Sequence, residues 1–381
     1  MVLPTYLPES FGGAEQQCRR LSTALARRGV GVAILAPRLK RATPAHETEG
    51  AVTVRRFRLR SAPNLGGRHM ASYLVWCACI LGWLWRHRGE YDLIHIFHGR
   101  LHAVPAVVAG AMLGKPTLIK IGSGGPESFD LGVVFRKRLF GRTFARLIAR
   151  HASAYVANSR EIADDLRRWG IPENRIHRIP NGVELPDLDA APRAGGGNSF
   201  VFLGRLDREK AVDLMIRGFA RLPERRARLA IVGDGPCRRE LEALADELRV
   251  AGRVTFAGAL SDVASALRAA DFFVSTSLSE GMSNALLEAM SFAVVPLVSR
   301  VSGATDIVED GCSGLLFDPG DLEAFVAKLE AALALPPGKR RAMGKVARET
   351  VRQKFGIDEV AERHVALYRA LTEAARVQPC R

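Results

Sequence analysis

A chain of 381 residues exceeds the size at which one hydrophobic core keeps growing, so two domains are expected. Its 48% hydrophobic and 25% charged residues exclude a disordered or collagen-like chain. The net charge of +15 is uneven: residues 1–190 hold 28 Lys/Arg against 15 Asp/Glu, and residues 191–381 hold 27 against 25. A basic half suits an acidic substrate, a polyanion or an anionic membrane surface; an Arg-rich solvated surface with no such partner explains it as well. The six cysteines (Cys18, Cys77, Cys79, Cys237, Cys312, Cys380) form no C-x-x-C pair and meet no His at zinc-ligand spacing. No metal site and a reducing compartment are therefore expected, with Cys18, Cys77 and Cys79 packing as small apolar residues.

Residues 1–6 read as the second half of a buried strand, so Met1 is expected to be an internal start and not part of a signal peptide. A Gly-rich turn at 8–13 leads into a helix with apolar positions Ala14, Cys18, Leu21 and Leu25, closed by Gly29. Strands follow at 30–36, 52–59, 93–97, 117–121, 154–157 and 176–179. Helices are predicted at 70–85, 101–113, 133–150 and 161–169. The run 70–85 is shorter than the roughly 20 residues a spanning helix needs. It reads as a buried helix; Trp76, Trp83 and Trp85, followed by Arg86, His87 and Arg88, make a membrane interface the alternative.

Prolines and the Gly195-Gly196-Gly197 run mark a linker at 186–199. The alternation then restarts, with strands at 200–203, 229–232, 254–256, 272–275 and 294–298 and helices at 211–222, 238–248, 263–269 and 284–291. Beyond 314–317 the chain is helical almost to its end. Short apolar strands alternating with helices predict two doubly wound α/β domains, whose ligands bind at the carboxyl ends of strands.

Four strand-to-helix loops could carry chemistry. Gly12-Gly13 lets the backbone approach a ligand at a helix start, although a plain turn uses the same residues. Gly204-Arg205, followed by Lys210, offers two cations to a diphosphate; a solvated loop would look alike. Gly233-Asp234-Gly235-Pro236 suits a nucleoside or a tight turn. The stretch Glu280-Gly281-Met282-Ser283-Asn284-Ala285-Leu286, with Glu288 further on, says more. Glu280 is read as ending a strand, Gly281 as making a sharp turn, and Ser283 as capping a helix whose amides suit phosphate or sugar hydroxyls. Glu288 on that helix is suited to accepting hydrogen bonds from vicinal hydroxyls.

These motifs resemble those of retaining glycosyltransferase family 4. Glu280 and Glu288 match its E-x7-E, Arg205 and Lys210 its G-R-x4-K, and Gly12-Gly13 its glycine loop. Val156-Ala157-Asn158-Ser159 and Ile179-Pro180-Asn181-Gly182-Val183 are similar to the stretches before its linker. The resemblance implies the GT-B fold: a Rossmann-like acceptor domain at 1–185, the linker, a nucleotide-sugar domain at 200–355 across a cleft, and a helix at 356–381 returning to the first domain. It implies a nucleotide-diphosphate sugar as co-substrate, no bound metal, and a glycan, lipid-linked or lipid acceptor in cell-surface polysaccharide or glycolipid synthesis. Arg205 and Lys210 would stabilise the leaving diphosphate, Glu288 would bind the ribose and Glu280 the sugar. Residues 281–286 would add backbone contacts.

The family's H-x-H pattern is altered here to His95-Ile96-Phe97-His98-Gly99, so the second His falls one residue late; either a strand bulge restores His98 to the donor sugar or it has another task. A cytoplasmic protein, peripheral on the inner face of the membrane, is expected. The rival readings are a nucleotide-sugar epimerase of the same fold and a silent scaffold. No zinc finger, RNP or helix-turn-helix pattern supports nucleic-acid binding.

Overall fold

The computed structural model describes residues 1–63, 69–188, 196–223, 227–260 and 262–377, so much of the expected linker at 186–199 lies outside the described residues. The chain forms two compact units, one of Met1–Gly182 with Ile357–Arg381, the other of Val183–Gly356.

In the first unit the strands are β1 (Val32–Arg38), β2 (His46–Glu49), β3 (Val52–Arg58), β4 (Ile94–Phe97), β5 (Thr117–Lys120), β6 (Ala154–Ala157) and β7 (Ile176–Arg178). They run in the orders β1-β3-β2 and β4-β5-β6-β7. Val2 joins the two sets, bridging Leu35 of β1 and Ile96 of β4 in parallel. Strand character at the start of the chain is confined to that bridge. All pairs are parallel except β2–β3. Polar β2 (His-Glu-Thr-Glu) is half exposed at the edge and carries too little apolar signal to read from sequence. Strands β4, β5 and β6 are buried throughout, as helices on both faces of a parallel sheet require.

The helices are α1 (Gly13–Ala26), α2 (His69–Arg86), α3 (Val104–Leu113), α4 (Asp130–Phe135), α5 (Gly141–His151) and α6 (Arg160–Arg168). On α1, Cys18, Leu21 and Leu25 are buried, and Gly29 ends the turn with φ of +77°. The Cys18 thiol is pushed up to about 12 by burial. Cys77 and Cys79 on α2 are only half buried. The expectation of a buried helix at 70–85 holds for one face of α2: Trp76, Ile80 and Leu84 are buried, whereas Leu74, Val75 and Trp85 are exposed. No helix among the described residues is long and apolar enough to cross a membrane.

The second unit has β8 (Ser199–Leu203), β9 (Arg228–Val232), β10 (Val254–Gly258), β11 (Phe272–Ser275), β12 (Val295–Ser299) and β13 (Leu315–Phe317). They form one parallel sheet in the order β10-β9-β8-β11-β12-β13. Along β8, Phe200 and Phe202 enter one apolar cluster while Val201 and Leu203 enter another on the opposite face. Strand order reverses between β8 and β11, which makes the ends of those two strands the switch point of this sheet. The helices are α7 (Val212–Arg221), α8 (Arg238–Glu247), α9 (Ala264–Ala269), α10 (Asn284–Ser291), α11 (Ser302–Thr305), α12 (Leu322–Ala334) and α13 (Pro337–Lys354). Helix α14 (Ile357–Val377) then joins the first unit, as the resemblance implies. Its Ile357 and Ala361 pack with Leu21 and Leu25, and Asp358 accepts a 2.9 Å hydrogen bond from Arg28.

The single helix expected at 133–150 is instead two. Helix α4 stops at Phe135, and Phe140 turns the chain with φ of +56° before α5. The turn presses Gly141 onto the end of α4, where an added Cβ would lie 2.4 Å from the Val134 carbonyl oxygen. Backbone cannot yield there. Gly141→Ala is expected to destabilise the protein by about 1–3 kcal/mol despite alanine's better helix propensity. Chemical denaturation checks this, and a stabilised variant would contradict the packing.

Candidate functional site

The loops after β8, β9 and β11 are bound to one another by backbone. After β8, the Gly204 amide donates to Val232 O at 3.0 Å and the Leu206 amide to Asp234 O at 3.0 Å. Gly233 and Gly235 permit this approach: a Cβ on them would lie 1.8 Å from Gly204 O and 2.3 Å from Leu206 O, and Gly233 has φ of +143°. Loop packing thus accounts for both glycines without a ligand. On the other side of β8, the Leu278 amide donates to Glu209 O at 2.8 Å. The Thr276 hydroxyl donates to the carbonyls of Lys210 and Ala211.

This stitching brings Lys210 to Glu280. Their side chains, 22% and 19% exposed, form an ion pair at the switch point. Ser277 Oγ donates to the same carboxylate oxygen, Oε2, at 3.3 Å. Oε1 has no partner among the described residues. Glu280 does not end a strand: β11 stops at Ser275, and Glu280 lies in the following loop, which Ser299 Oγ pins by donating to Ser277 O at 2.6 Å. Arg205 is 72% exposed and donates from Nε to Asp207 at 2.6 Å, so Arg205 and Lys210 each hold a carboxylate of their own. Asp207 also caps the 208–210 turn through the Lys210 amide.

Ser283 caps α10, accepting from the Leu286 amide at 3.3 Å, so the expected cap is present. Asn284 and Ala285 open that helix half buried, Met282 is buried, and Glu288 is half buried one turn along. Gly303 was not singled out from the sequence. A Cβ there would lie 1.9 Å from Gly281 O, so Gly303 lets α11 support the loop from below. A glycine at the start of a short helix is the only signal that could have marked it.

In the first unit, Gly12 is the N-cap of α1, and a Cβ on it would meet the Glu15 carboxylate at 2.5 Å. Gly13 opens the helix. Gln17 fixes the end of the unit, exchanging hydrogen bonds with the Gly182 backbone at 2.8 and 2.9 Å. The bulge considered for His98 is absent: β4 pairs with β5 in unbroken register through Phe97 and Lys120. His98 instead takes the left-handed conformation, φ +67°, and its ring lies on Gly122, where a Cβ would come within 1.9 Å of Cε1. His95 is a core residue, stacked on Phe97 and hydrogen-bonded to Tyr368 at 2.7 Å; burial holds it well below the usual imidazole range.

Asp130 is the residue that sequence reading missed here. Its side chain is fully buried and accepts from Gly99 N at 3.1 Å, Gly122 N at 3.0 Å, Arg100 Nε at 2.8 Å and His98 Nδ1 at 3.3 Å. Burial pushes its carboxyl up, but His98, Arg100 and the Gly122 amide together outweigh burial and hold it below the usual carboxylate range. The Nδ1 contact leaves His98 Nε2 as the ring nitrogen available to a ligand.

Among the described residues no group of three or more His, Cys, Asp or Glu side chains is arranged to hold a metal ion. The sequence does contain one Asp-x-Asp step, at Asp187 and Asp189 in the linker, and Asp189 lies outside the described residues.

Residues 12–182 match the family model described as glycosyl transferase 4-like domain, and residues 187–350 match glycosyl transferases group 1. The D-inositol 3-phosphate glycosyltransferase of Kribbella flavida is 30% identical, over 95% of this chain and 91% of that protein. Sucrose-phosphate synthase from Thermosynechococcus elongatus superposes with a TM-score of 0.79 at 25% identity, covering 98% of this chain and 99% of that one. Anabaena HepE in complex with UDP-glucose gives 0.75 at 19% identity, covering 97% and 99%, a likeness of fold.

Asp130 has a pH signature. Its folded pKa is depressed, so its contribution to stability is fully present above the unfolded value, near about 4, and is lost as pH falls through the folded value. Asp130→Asn leaves the surrounding donors half-satisfied and is expected to cost about 3 kcal/mol at pH 7. The gap from wild type should narrow below about pH 4. A gap constant down to pH 2 would show that the carboxylate charge is not what stabilises this turn.

Proposed function

The chain belongs to the group 1 glycosyltransferases, enzymes that use nucleotide sugars, and we propose that it transfers the sugar with retention of configuration through the site at the β8/β11 switch point. The observation that carries this reading is the Lys210–Glu280 ion pair beside the capped start of α10. Breaking the bond from sugar to diphosphate builds positive charge on the sugar and negative charge on the leaving group. Lys210, with N–H groups to spare beyond Glu280, and exposed Arg205 stabilise the diphosphate, assisted by the amides of residues 283–285 at the start of α10, the Leu286 amide being taken by the Ser283 cap. Glu280 accepts from the donor sugar hydroxyls through Oε1, and Glu288 accepts from the ribose. Residues 281 and 282 add backbone contacts; in the first unit the candidate ligand-binding residues are Gly12, Gly13 and His98, at that unit's own strand ends. The acceptor hydroxyl forms its new bond to the sugar on the face the diphosphate leaves, and its proton passes to a diphosphate oxygen. No bound metal is needed in this reading, because fixed cations and helix dipoles meet the phosphate charge.

The acceptor we propose is a glycan, lipid-linked or lipid molecule of cell-surface polysaccharide or glycolipid synthesis. The enzyme would work from the cytoplasmic side, peripheral on an anionic membrane, in keeping with the basic first half of the chain.

Two measurements test the site. Lys210→Ala is expected to lower the turnover rate by about 100–1,000-fold, the usual loss for one preorganised donor; a change below about threefold would remove Lys210 from the mechanism. Thermal unfolding against UDP, GDP, ADP and their sugars should single out one nucleotide that stabilises the wild type by roughly 2.7 kcal/mol at about 100 times its dissociation constant. Arg205→Ala/Lys210→Ala should lose most of that shift. No shift in the wild type with any nucleotide would favour a silent scaffold, and a donor sugar altered without acceptor would favour an epimerase.

A further inference from the structure

Two exposed apolar features of the first unit have no part in the site above. The first is the outer face of α2. From residue 70 to 85 the helix has no charged side chain, yet Ala71, Leu74, Val75, Ala78, Gly82 and Trp85 recur at helical spacing on the solvent side. Leu74 is 61% exposed. A helix apolar all round belongs in a core or against lipid, and α2 has only one face in the core. It ends as interfacial helices do, with the Arg88 guanidinium 5.5 Å from the Trp85 ring and Arg86 beside it.

The second feature is the α4–α5 turn. Phe140, a bulky residue in the left-handed region, is 61% exposed, and Leu139 beside it is 44% exposed. Strain and exposure together on an aromatic residue gain the isolated unit nothing. Around this apolar tip the chain runs from residue 131 to 160 without one Asp or Glu. Arg138 is exposed next to the tip, and Arg142, Arg146 and Arg150 form an exposed i, i+4, i+8 row along α5. The elements that carry the two features touch: the ring of Phe144 on α5 lies 6.3 Å from that of Tyr73, on the buried side of α2, and 6.1 Å from that of Phe140. On the other flank of α2, Arg58 and Arg60 line the same depression as Val75.

From these observations we propose that the α2 face and the α4–α5 turn form one docking surface for an anionic phospholipid bilayer. Leu139, Phe140, Leu74 and Trp85 enter the acyl boundary while the α5 arginines, Arg58, Arg60 and Arg86 meet lipid phosphates. Apolar side chains ringed by cations, with no carboxylate along the turn and α5, complement an anionic interface; a protein partner would need acidic groups ringing an apolar patch. This inference deepens the peripheral-membrane part of the function proposed above and rests on it. It says which face of the first unit turns to the bilayer, hence on which side a lipid-borne acceptor arrives.

The test uses the full chain and sedimented vesicles of phosphatidylcholine, with or without phosphatidylglycerol, at about 0.1 M salt. The wild type should partition onto phosphatidylglycerol vesicles at least about tenfold better than onto phosphatidylcholine alone, and less as salt rises. Arg142→Glu/Arg146→Glu should weaken that partitioning by about 25-fold or more, since each cation near an anionic surface contributes roughly fivefold. Leu139→Ser/Phe140→Ser and Leu74→Ser/Trp85→Ser should weaken it without altering its salt dependence. Equal partitioning onto both vesicle types would overturn the proposal, as would variants that bind like the wild type. Self-association in ultracentrifugation that the same variants abolish, without vesicle binding, would assign the face to a second copy and also overturn it. The nucleotide-dependent thermal shift should be the same in every variant, which shows that they fold. Vesicle binding by a wild type that no nucleotide stabilises would sink the transferase site while leaving the docking surface standing.

Discussion

The second unit is organised around one electrostatic contact, the ion pair between Lys210 and Glu280. The two residues are 70 apart in the chain and meet only because β8 and β11 are neighbours at the point where strand order reverses. A half-buried ion pair contributes little net stability, because desolvation offsets much of its attraction. Its cost is tolerated because other groups fix both ends: Thr276 and Leu278 bind the Lys210 loop, and Ser277 and Ser299 hold the Glu280 loop. The glycines follow the same constraint. Gly233, Gly235 and Gly303 each sit where another loop's backbone would meet a Cβ, so the loops near the pair cannot drift apart independently.

The first unit solves a similar problem differently. Val2 lies between β1 and β4, so the loops after residue 2 and after β4 open at that sheet's own reversal of order. The Gly12-Gly13 turn and His98 therefore belong to neighbouring strand ends. His98 departs from the expected pattern by one residue, and the left-handed turn at that residue, rather than a bulge, redirects its ring. Gly122 leaves the space for the ring, and Asp130 fixes its Nδ1 side.

Much of this was legible in the sequence. Period and turn residues marked both sheets, and Arg205, Lys210, Glu280 and Ser283 fell at strand-to-helix loops, where α/β sheets bind ligands. Long-range pairing was not legible, since nothing local to Lys210 says which carboxylate it will meet. Asp130 was hidden for a related reason: it opens a helix in an apolar stretch, and only folding brings it beneath His98. The break at Phe140 was missed because no proline or acceptable cap marks it; the constraint there is the tertiary fit of Gly141 against α4. The apolar run at 70–85 showed that α2 had no charged face but not which of its apolar faces would be covered.

The two carboxylates show how burial divides structure from function. A carboxylate offers about four acceptor positions. Asp130 has four donors around it and no exposure, so its charge is spent entirely on shaping the turn that holds His98. Glu280 has two donors, both on Oε2, and remains 19% exposed. Its Oε1 keeps the capacity to accept from a ligand while Lys210 fixes the group's orientation and charge. A saturated carboxylate adds rigidity and no affinity; a half-satisfied one with a pinned backbone is preorganised for a hydroxyl that completes it. By that criterion Glu280 is the acidic residue at which ligand chemistry is to be sought, and Asp130 the one whose loss should first be felt in folding.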